Sequence, residues 1–505
     1  MSPLIQIFLA LSLASFASAA SPAAPSVAVV IGPKAPALER QAASELVAQL
    51  QNLFGAQTAI LSNRPPSEAA LIFLGNPETN PGITDVMGGA WPKLSAQGHL
   101  IKSVRFQDRD ALVLGGGSPV ATRWAVHEFG YRCGIRHLLF SDFPPLMKPV
   151  FSLAGYNVTL EPHLAIRAWS AFNGQPFGAE AWQLQDHQRL LAQLSKLKFT
   201  HVIFPANPVP FPPIRVDGDA PGRKVFAGAR QFENPTLSPA LLRQLTSLAA
   251  DYGITVTTNA SLATRVNPGP TNASVLPHFN LEFLATELRS LPPAPQPGFS
   301  ARVHFPGDLN ASLHFLSRAA FHPGLSASQS LTDLATPICG PEVDDRLAIG
   351  FAASARAAEL IDRNDPLLGV PDARMIARQS EAREAQSTWM SEVKALYTQA
   401  MNEMYRANTR ARDGARPFIL YHAKRFEFAL HLVTSLEAVR KAGQLRAQGQ
   451  QDAAAKALEP AIEAMYNALN ALADVARDPS DRGTIAALNE HGYRPLLKLL
   501  ELYEK

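Results

Sequence analysis

The spacing of apolar residues changes twice along this chain, and the changes divide it into three stretches. In the first, short β-branched runs alternate with amphipathic segments. Val27 to Ile31 ends in Gly32-Pro33, a strand followed by a turn. Ala35 to Phe54 repeats Leu38, Ala42, Leu46, Leu50 and Leu53 at helical spacing and stops at Gly55. Thr58 to Leu61 and Ala70 to Leu74 predict two more strands, and Gly98 to Val104 with Ala111 to Leu114 predicts a hairpin pair. Gly115-Gly116-Gly117-Ser118-Pro119 opens a helix running to about Cys133, closed by Gly134.

The middle stretch is less regular. Arg167-Ala168-Trp169-Ser170 precedes a helix from Trp182 to Leu197, then a strand from Thr200 to Phe204. A helix from Leu237 to Tyr252 leads to a strand from Ile254 to Thr258. A helix from Leu281 to Leu291 leads to a strand from Phe299 to Phe305. That makes about three strand–helix repeats. Sixteen of the 41 prolines fall between Pro205 and Pro306, which favours long ordered loops over further strands. From Ser326 onward the period is helical throughout: Asp344 to Arg363, Arg374 to Arg412, Arg416 to Gln448, Asp452 to Arg477 and Thr484 to Tyr503. The expected fold class is α/β plus all-α: an N-terminal α/β domain over 21–160, a reduced or incomplete (β/α) barrel over 161–320, and a C-terminal helical bundle over 321–505.

Composition narrows this only slightly. A chain of 505 residues has room for three domains, and 47% hydrophobic content supplies their cores. A net charge of +3, with no basic stripe interleaved with aromatics, argues against a nucleic-acid partner. Leu4 to Phe16 is apolar and runs into Ala17-Ser18-Ala19, so residues 1–20 read as a signal peptide and the protein as periplasmic or secreted. That run is too short to span a membrane, and no later one is long enough. The two cysteines, Cys133 and Cys339, read as buried free thiols rather than a disulfide.

Candidate chemistry is sparse. Cleaving a glycosidic bond normally takes two carboxylates. Nine acids lie between Pro162 and Asn310, and five of them (Glu180, Asp186, Asp251, Glu282, Glu287) fall on helices that would face outward. Asp217, Asp219 and Glu233 fall in the loop after the Thr200 strand. Asp308 alone follows directly on a strand, at the edge where barrel enzymes place their chemistry, and is the candidate catalytic residue; its competing role is to cap the helix near Asn310. Arg167, Trp169, Asn207, Asn259 and His304 are candidate substrate-binding residues by their places at strand ends or at the start of the middle domain. His127-Glu128 would begin a His-Glu-x-x-His zinc site, but Tyr131 takes the second histidine's position. No metal and no cofactor are called for, and oligomeric state is not encoded in any pattern.

Three segments carry a family resemblance. Val27 to Gly32 with Ala42-Ala43-Ser44-Glu45-Leu46, continuing through Ala121 to Phe129 and Gly134-Ile135-Arg136-His137-Leu138, resembles the N-terminal domain of α-glucuronidases, a fold that also precedes the barrel of β-hexosaminidases. Lys198-Phe199-Thr200 looks like the first barrel strand. Ala476-Arg477-Asp478-Pro479-Ser480-Asp481-Arg482-Gly483, with Asn489 to Leu496, looks like the helical tail of large members of that group. The resemblance implies a carbohydrate partner and acid–base hydrolysis of O-glycosyl bonds. The barrel departs from it: the 145 residues from Pro162 to Pro306 fall well short of the roughly 250 that eight strand–helix units take, and no catalytic residue carries over. The alternative is an inactive carbohydrate-binding or scaffold relative with a degenerate barrel. A third reading makes the helical bundle an interaction module.

Overall fold

The computed structural model describes residues 24–62, 69–139, 141–171, 175, 177–207, 237–269, 273–291, 298–303, 307–382 and 388–504. The signal-peptide segment 1–20, the acids Asp217, Asp219 and Glu233, and His304 lie outside the described residues.

The first sheet joins β1 (Ser26–Val30), β2 (Gln57–Leu61), β3 (Ala70–Gly75), β4 (His99–Phe106), β5 (Arg109–Gly116) and β8 (Asn157–Leu160) in the order β2-β1-β3-β5-β4-β8. β4 and β8 run antiparallel, as the hairpin pattern predicted for β4 and β5. Helices α1 (Ala37–Phe54) and α3 (Pro119–Arg132) cover one face through Leu46, Leu50, Ile72, Leu112 and Phe129. Helix α2 (Gly82–Met87) covers the other through Ile83 and Met87 on Phe73 and Val113. The triple glycine is a packing device. Ser118 caps α3, and a Cβ on Gly116 would lie 2.4 Å from backbone atoms of Ala121 and Thr122. Gly116→Ala is therefore expected to cost about 1–3 kcal/mol, read as a lower urea midpoint, because backbone cannot retreat as a side chain can.

A short hairpin, β6 (Arg136–His137) with β7 (Asp142–Phe143), leads to the second sheet. This sheet is wholly parallel and holds β9 (Ile166–Ala171), β10 (His201–Ile203), β11 (Thr255–Thr257), β12 (Thr264–Val266) and β13 (Gly298–Val303) in the order β11-β10-β9-β13-β12. Two expectations are corrected here. The strand at Thr200 is the second of its sheet, not the first; the first and central strand is β9, whose Arg and Trp hid its period-two pattern. β12, three residues long, was too short to read. Helices α4 (Leu184–Lys196), α5 (Pro239–Ala250), α6 (Leu281–Arg289) and α7 (Asn310–Ala319) pack on one face.

The remaining elements are helical. α8 (Ala327–Cys339), α9 (Asp344–Asn364), α10 (Met375–Ser380), α11 (Thr388–Arg410), α12 (Arg416–Ala447), α13 (Gln451–Ala473), α14 (Pro479–Leu488) and α15 (Arg494–Tyr503) share one core. α12 is buried on most of its circumference and runs through the middle. Three predicted spans change. The segment 374–412 gives α10 and α11 rather than one helix. The helix predicted to reach Arg477 ends at Ala473. The last predicted helix begins at Pro479, after the cap Asp478, and is broken by a π turn over Asn489–Tyr493. Cys133 and Cys339 are buried free thiols. Among the described residues no helix is long and apolar enough to cross a membrane.

The parts are bolted together by charge. Glu128 of α3 is wholly buried and accepts from Lys198 Nζ at 2.5 Å and Arg318 Nη1 at 2.6 Å, while Arg132 Nε lies at 3.1 Å. Lys198 precedes β10 and Arg318 ends α7, so one carboxylate ties the first sheet's helix to the second sheet. The two cations hold Glu128 well below the usual carboxylate range, against the opposing effect of burial.

Candidate functional site

Register decides which side chains the second sheet offers. On β9, Arg167, Trp169 and Ala171 alternate with Ile166, Ala168 and Ser170. Trp169 packs with Val202, Phe299 and Ala301 beneath the helices. The opposite face, which in a barrel would be the interior, carries a small apolar group of Ile166, Ala168 and Ile203 touched by Leu262 and Ala263. Around it stand Ser300 and His201 on either side of Ala168, Arg302 beside Ser170, and Arg265 beside Ser300. None of the five strands carries an Asp or Glu. Burial and the nearby Arg167 push the His201 imidazole below its ordinary value, which leaves it neutral at pH 7.

The segment from β11 to β12 crosses this face. A flat sheet would put its two edge strands about 19 Å apart, four strand spacings. Thr257 and Thr264 are joined by six residues, and a turn with Leu262 N donating to Asn259 O at 3.3 Å shortens their reach. Seven Cα steps reach about 23 Å at full extension, enough for the crossing, and Leu262 and Ala263 rest against Ile166, Ala168 and Ile203.

At the carboxyl end of β13 lies Asp308, and the structure gives it a partner that sequence could not. Arg425 of α12 grips it as a fork, Nε to Oδ1 at 2.7 Å and Nη2 to Oδ2 at 2.6 Å, and also donates to Val275 O at 2.9 Å. The Asp308 side chain is 3% exposed. It is not the cap of α7 either: that position is Leu309, without a side-chain bond. One turn before Arg425, Tyr421 donates to Asp481 Oδ1 at 2.9 Å, and the guanidinium of Arg477 lies over the Tyr421 ring at 3.7 Å. Asp478 caps α14 by accepting from the Asp481 N–H at 3.0 Å, and Ser480 donates to Phe177 O at 2.6 Å, just beyond β9. The tail motif from Arg477 to Asp481 thus plugs the carboxyl edge of the sheet. Burial raises both its carboxyls, that of Asp478 to about 8. Gly307 is required at this junction, since a Cβ there would meet the Tyr421 hydroxyl at 2.3 Å.

The expected site residues do not come together. Arg167 lies on the helix-facing side of β9, fully buried, donating to Lys198 O at 2.6 Å and to Gln97 Oε1 and Leu164 O, both at 2.7 Å. Trp124 and Phe321 flank its guanidinium, each 5.0 Å away. Trp169 is fully buried, its ring 6.4 Å from that of Trp182. Both are therefore reassigned from ligand contact to packing. Asn207 and Asn259 are exposed beyond β10 and β11; Asn259 Oδ1 accepts from the Ser261 N–H at 3.0 Å, closing a local turn. Sequence reasoning missed Arg265, Arg302 and His201. The alternation within Phe299 to Phe305 held the signal for Arg302, since Ser300 and Arg302 share a parity opposite to Phe299 and Ala301. Among the described residues no three His, Cys, Asp or Glu side chains converge as metal ligands.

No protein-family model matches the chain, and no curated protein matches it in sequence. Solved structures do. A family GH115 4-O-methyl-α-glucuronidase with specificity for decorated arabinogalactans superposes with a TM-score of 0.55 at 12% identity, over 91% of this chain and 79% of that one. A GH138 enzyme targeting pectin rhamnogalacturonan II gives 0.49 at 9% identity, over 95% and 98%; CpGH84D gives 0.41 at 8%, over 87% and 89%. The first likeness shows a shared fold; the other two are too loose to carry weight.

Proposed function

We propose that this chain is a carbohydrate-active protein built on a glycoside-hydrolase framework, and that it binds an acidic glycan on the inner face of its parallel sheet. The fold likeness to an α-glucuronidase supports the class. The observation that carries the reading is the inner face itself: Arg265 stands beside Ser300 and His201 beside Ala168, with no carboxylate on the strands, while Asp308 is committed to Arg425. Guanidinium groups suit the carboxylate of a uronic acid.

The strand order supports a reduced barrel as the origin of this face. β9 to β10 to β11 and β12 to β13 step around the sheet in one sense, and β13 pairs with β9 as a last barrel strand pairs with the first. Strands between β11 and β12 are what such a barrel would lack. We place the protein in the periplasm or outside the cell on the reading of residues 1–20 as a signal peptide, which sequencing the mature N-terminus would test.

Titrating the full chain with a glucuronate-bearing xylo-oligosaccharide and with its neutral counterpart tests the binding site. Tighter binding of the acidic sugar is expected, and Arg265→Ala should weaken it tenfold or more, the loss of one charge-assisted hydrogen bond of about 1.5–3 kcal/mol. Equal affinity for both sugars would sink the reading. Hydrolysis is the second reading. The fold likeness to an α-glucuronidase favours it. Turnover of aryl glycosides or glucuronoxylan fragments would establish it.

A further inference from the structure

Three buried carboxyls gather around Tyr421 where α14 closes on the carboxyl edge of the second sheet: Asp308, Asp478 and Asp481, exposed by 2%, 2% and 1%. Two guanidiniums face them. Arg425 is committed as a fork to Asp308, and Arg477 is exposed, its guanidinium over the Tyr421 ring. With every group ionised, this junction would hold one negative charge more than its cations match.

The two acids of the tail motif are unequally served. Asp481 Oδ1 accepts from the Tyr421 hydroxyl at 2.9 Å, and its Oδ2 accepts from the Arg477 N–H at 3.0 Å. Asp478 Oδ1 accepts from the Asp481 N–H at 3.0 Å, but its Oδ2 is buried with no donor among the described residues. A buried carboxylate oxygen without a donor is costly, and a proton on it removes the charge. The neighbouring charged groups supply no cation. Asp474, one turn before, takes Lys424 at 3.4 Å; Glu490, past the far end of α14, takes Arg494 at 3.4 Å; burial holds His491 below its ordinary value. Burial, with the charge of Asp481, raises Asp478 to about 8, against the opposing effects of the Asp481 and Ser480 N–H groups and Arg477.

We propose that Asp478 and Asp481 keep one proton between them, and that this proton latches the tail motif onto the sheet, so that the latch weakens as pH rises. Releasing the proton to water leaves two buried carboxylates three residues apart, with Arg477 as their nearest uncommitted cation. The latch joins the bundle to the sheet, since Ser480 donates to Phe177 O beyond β9 and Tyr421 of α12 closes on Asp481. The sign follows from linkage. Unfolded, Asp478 ionises near pH 4 or so; folded, it keeps its proton to about 8. Stability therefore falls as pH rises through that window and levels off above it. The Glu128 carboxylate, depressed rather than raised, works in the opposite sense.

The test is urea unfolding of the full chain at about pH 5.5, 7 and 8.5, parent against Asp478→Asn, which keeps the helix cap and carries no charge. The ratio of folding constants, variant over parent, should rise at least tenfold from the lowest pH to the highest. Hydrogen exchange locates the effect. In the parent, protection of residues 477–488, corrected for the chemical exchange rate, should fall over this range while that of α1 holds; in the variant it should stay level. Parallel pH profiles for the two proteins, a variant less stable than the parent or unfolded at the highest pH, or parent protection over 477–488 that ignores pH would each overturn the proposal. No sugar enters these measurements, so they are independent of the glycan reading.

Discussion

Glu128→Gln is expected to destabilise the protein by about 3–5 kcal/mol, the cost of leaving buried cations without their counter-charge. The side-chain volume barely changes, so packing cannot account for such a loss. Lys198 is 5% exposed and Arg318 11%, and each has its ammonium or guanidinium within 2.6 Å of Glu128 Oε2, whose charge the amide lacks. Burial already lowers Lys198 to about 8, so with the carboxylate gone it would shed its proton near neutral pH and Arg318 would stay charged. Urea unfolding followed by tryptophan emission reads the loss, since Trp124, Trp169 and Trp182 are all buried around this junction. The triple variant Glu128→Met, Lys198→Met, Arg318→Met should recover most of the stability, because an apolar set avoids the desolvation of all three charges. A single variant as stable as the parent, or a triple variant worse than the single one, would refute the ion-bolt account. The pH dependence has a definite sign. Glu128 titrates lower in the folded state than in the unfolded one, so its contribution is whole above about 4.5 and fades as pH falls toward the depressed folded value. Acid should loosen the first sheet from the second.

How much of this was legible in the sequence depends on whether a residue's partner lies nearby along the chain. α1 and the strands before and after it were readable because Leu46 and Leu50 repeat at helical spacing and Gly55 adopts the left-handed conformation that ends the helix. The bundle was readable for the same reason, apart from its breaks. β9 was not, because the face that carries Arg167 and Trp169 is covered by helices from elsewhere in the chain, and in sequence the two look like surface residues chosen for a ligand. What makes Arg167 structural is Gln97, 70 positions away, and the rings of Trp124 and Phe321. The pairing of β13 with β9 and the plug formed by Arg477 to Asp481 likewise arise from contacts across long sequence gaps. Ser480 bonds to Phe177 across 303 positions. Local pattern carries no trace of such a pairing, although it does mark the motif as unusual, with two acids and a proline at one helix start.

Asp308→Asn is the variant that separates structure from chemistry at the carboxyl edge. Asp308 is where sequence placed the only strand-end acid, and the geometry sets it against Arg425, whose side chain is 1% exposed. A catalytic carboxylate, once amidated, loses turnover while the protein stays folded. A buried ion-pair partner behaves in the opposite way: the fold weakens by about 3–5 kcal/mol, and whatever remains folded keeps its sugar affinity. The second outcome is expected. Asp308 holds Arg425, whose guanidinium also donates to Val275 O, so losing the pair should loosen α12 from the end of β13 and from the segment around Val275. Urea unfolding and the oligosaccharide titration, run on the same sample, distinguish the cases. The double variant Asp308→Leu, Arg425→Met then decides between charge and site. It should stand well above Asp308→Asn in stability, because no ion is left stranded, and should bind the glucuronate-bearing oligosaccharide as the parent does, because neither residue lies on the inner face of the sheet. Affinity lost in the double variant while stability is restored would return Asp308 or Arg425 to the binding site and reverse the reassignment.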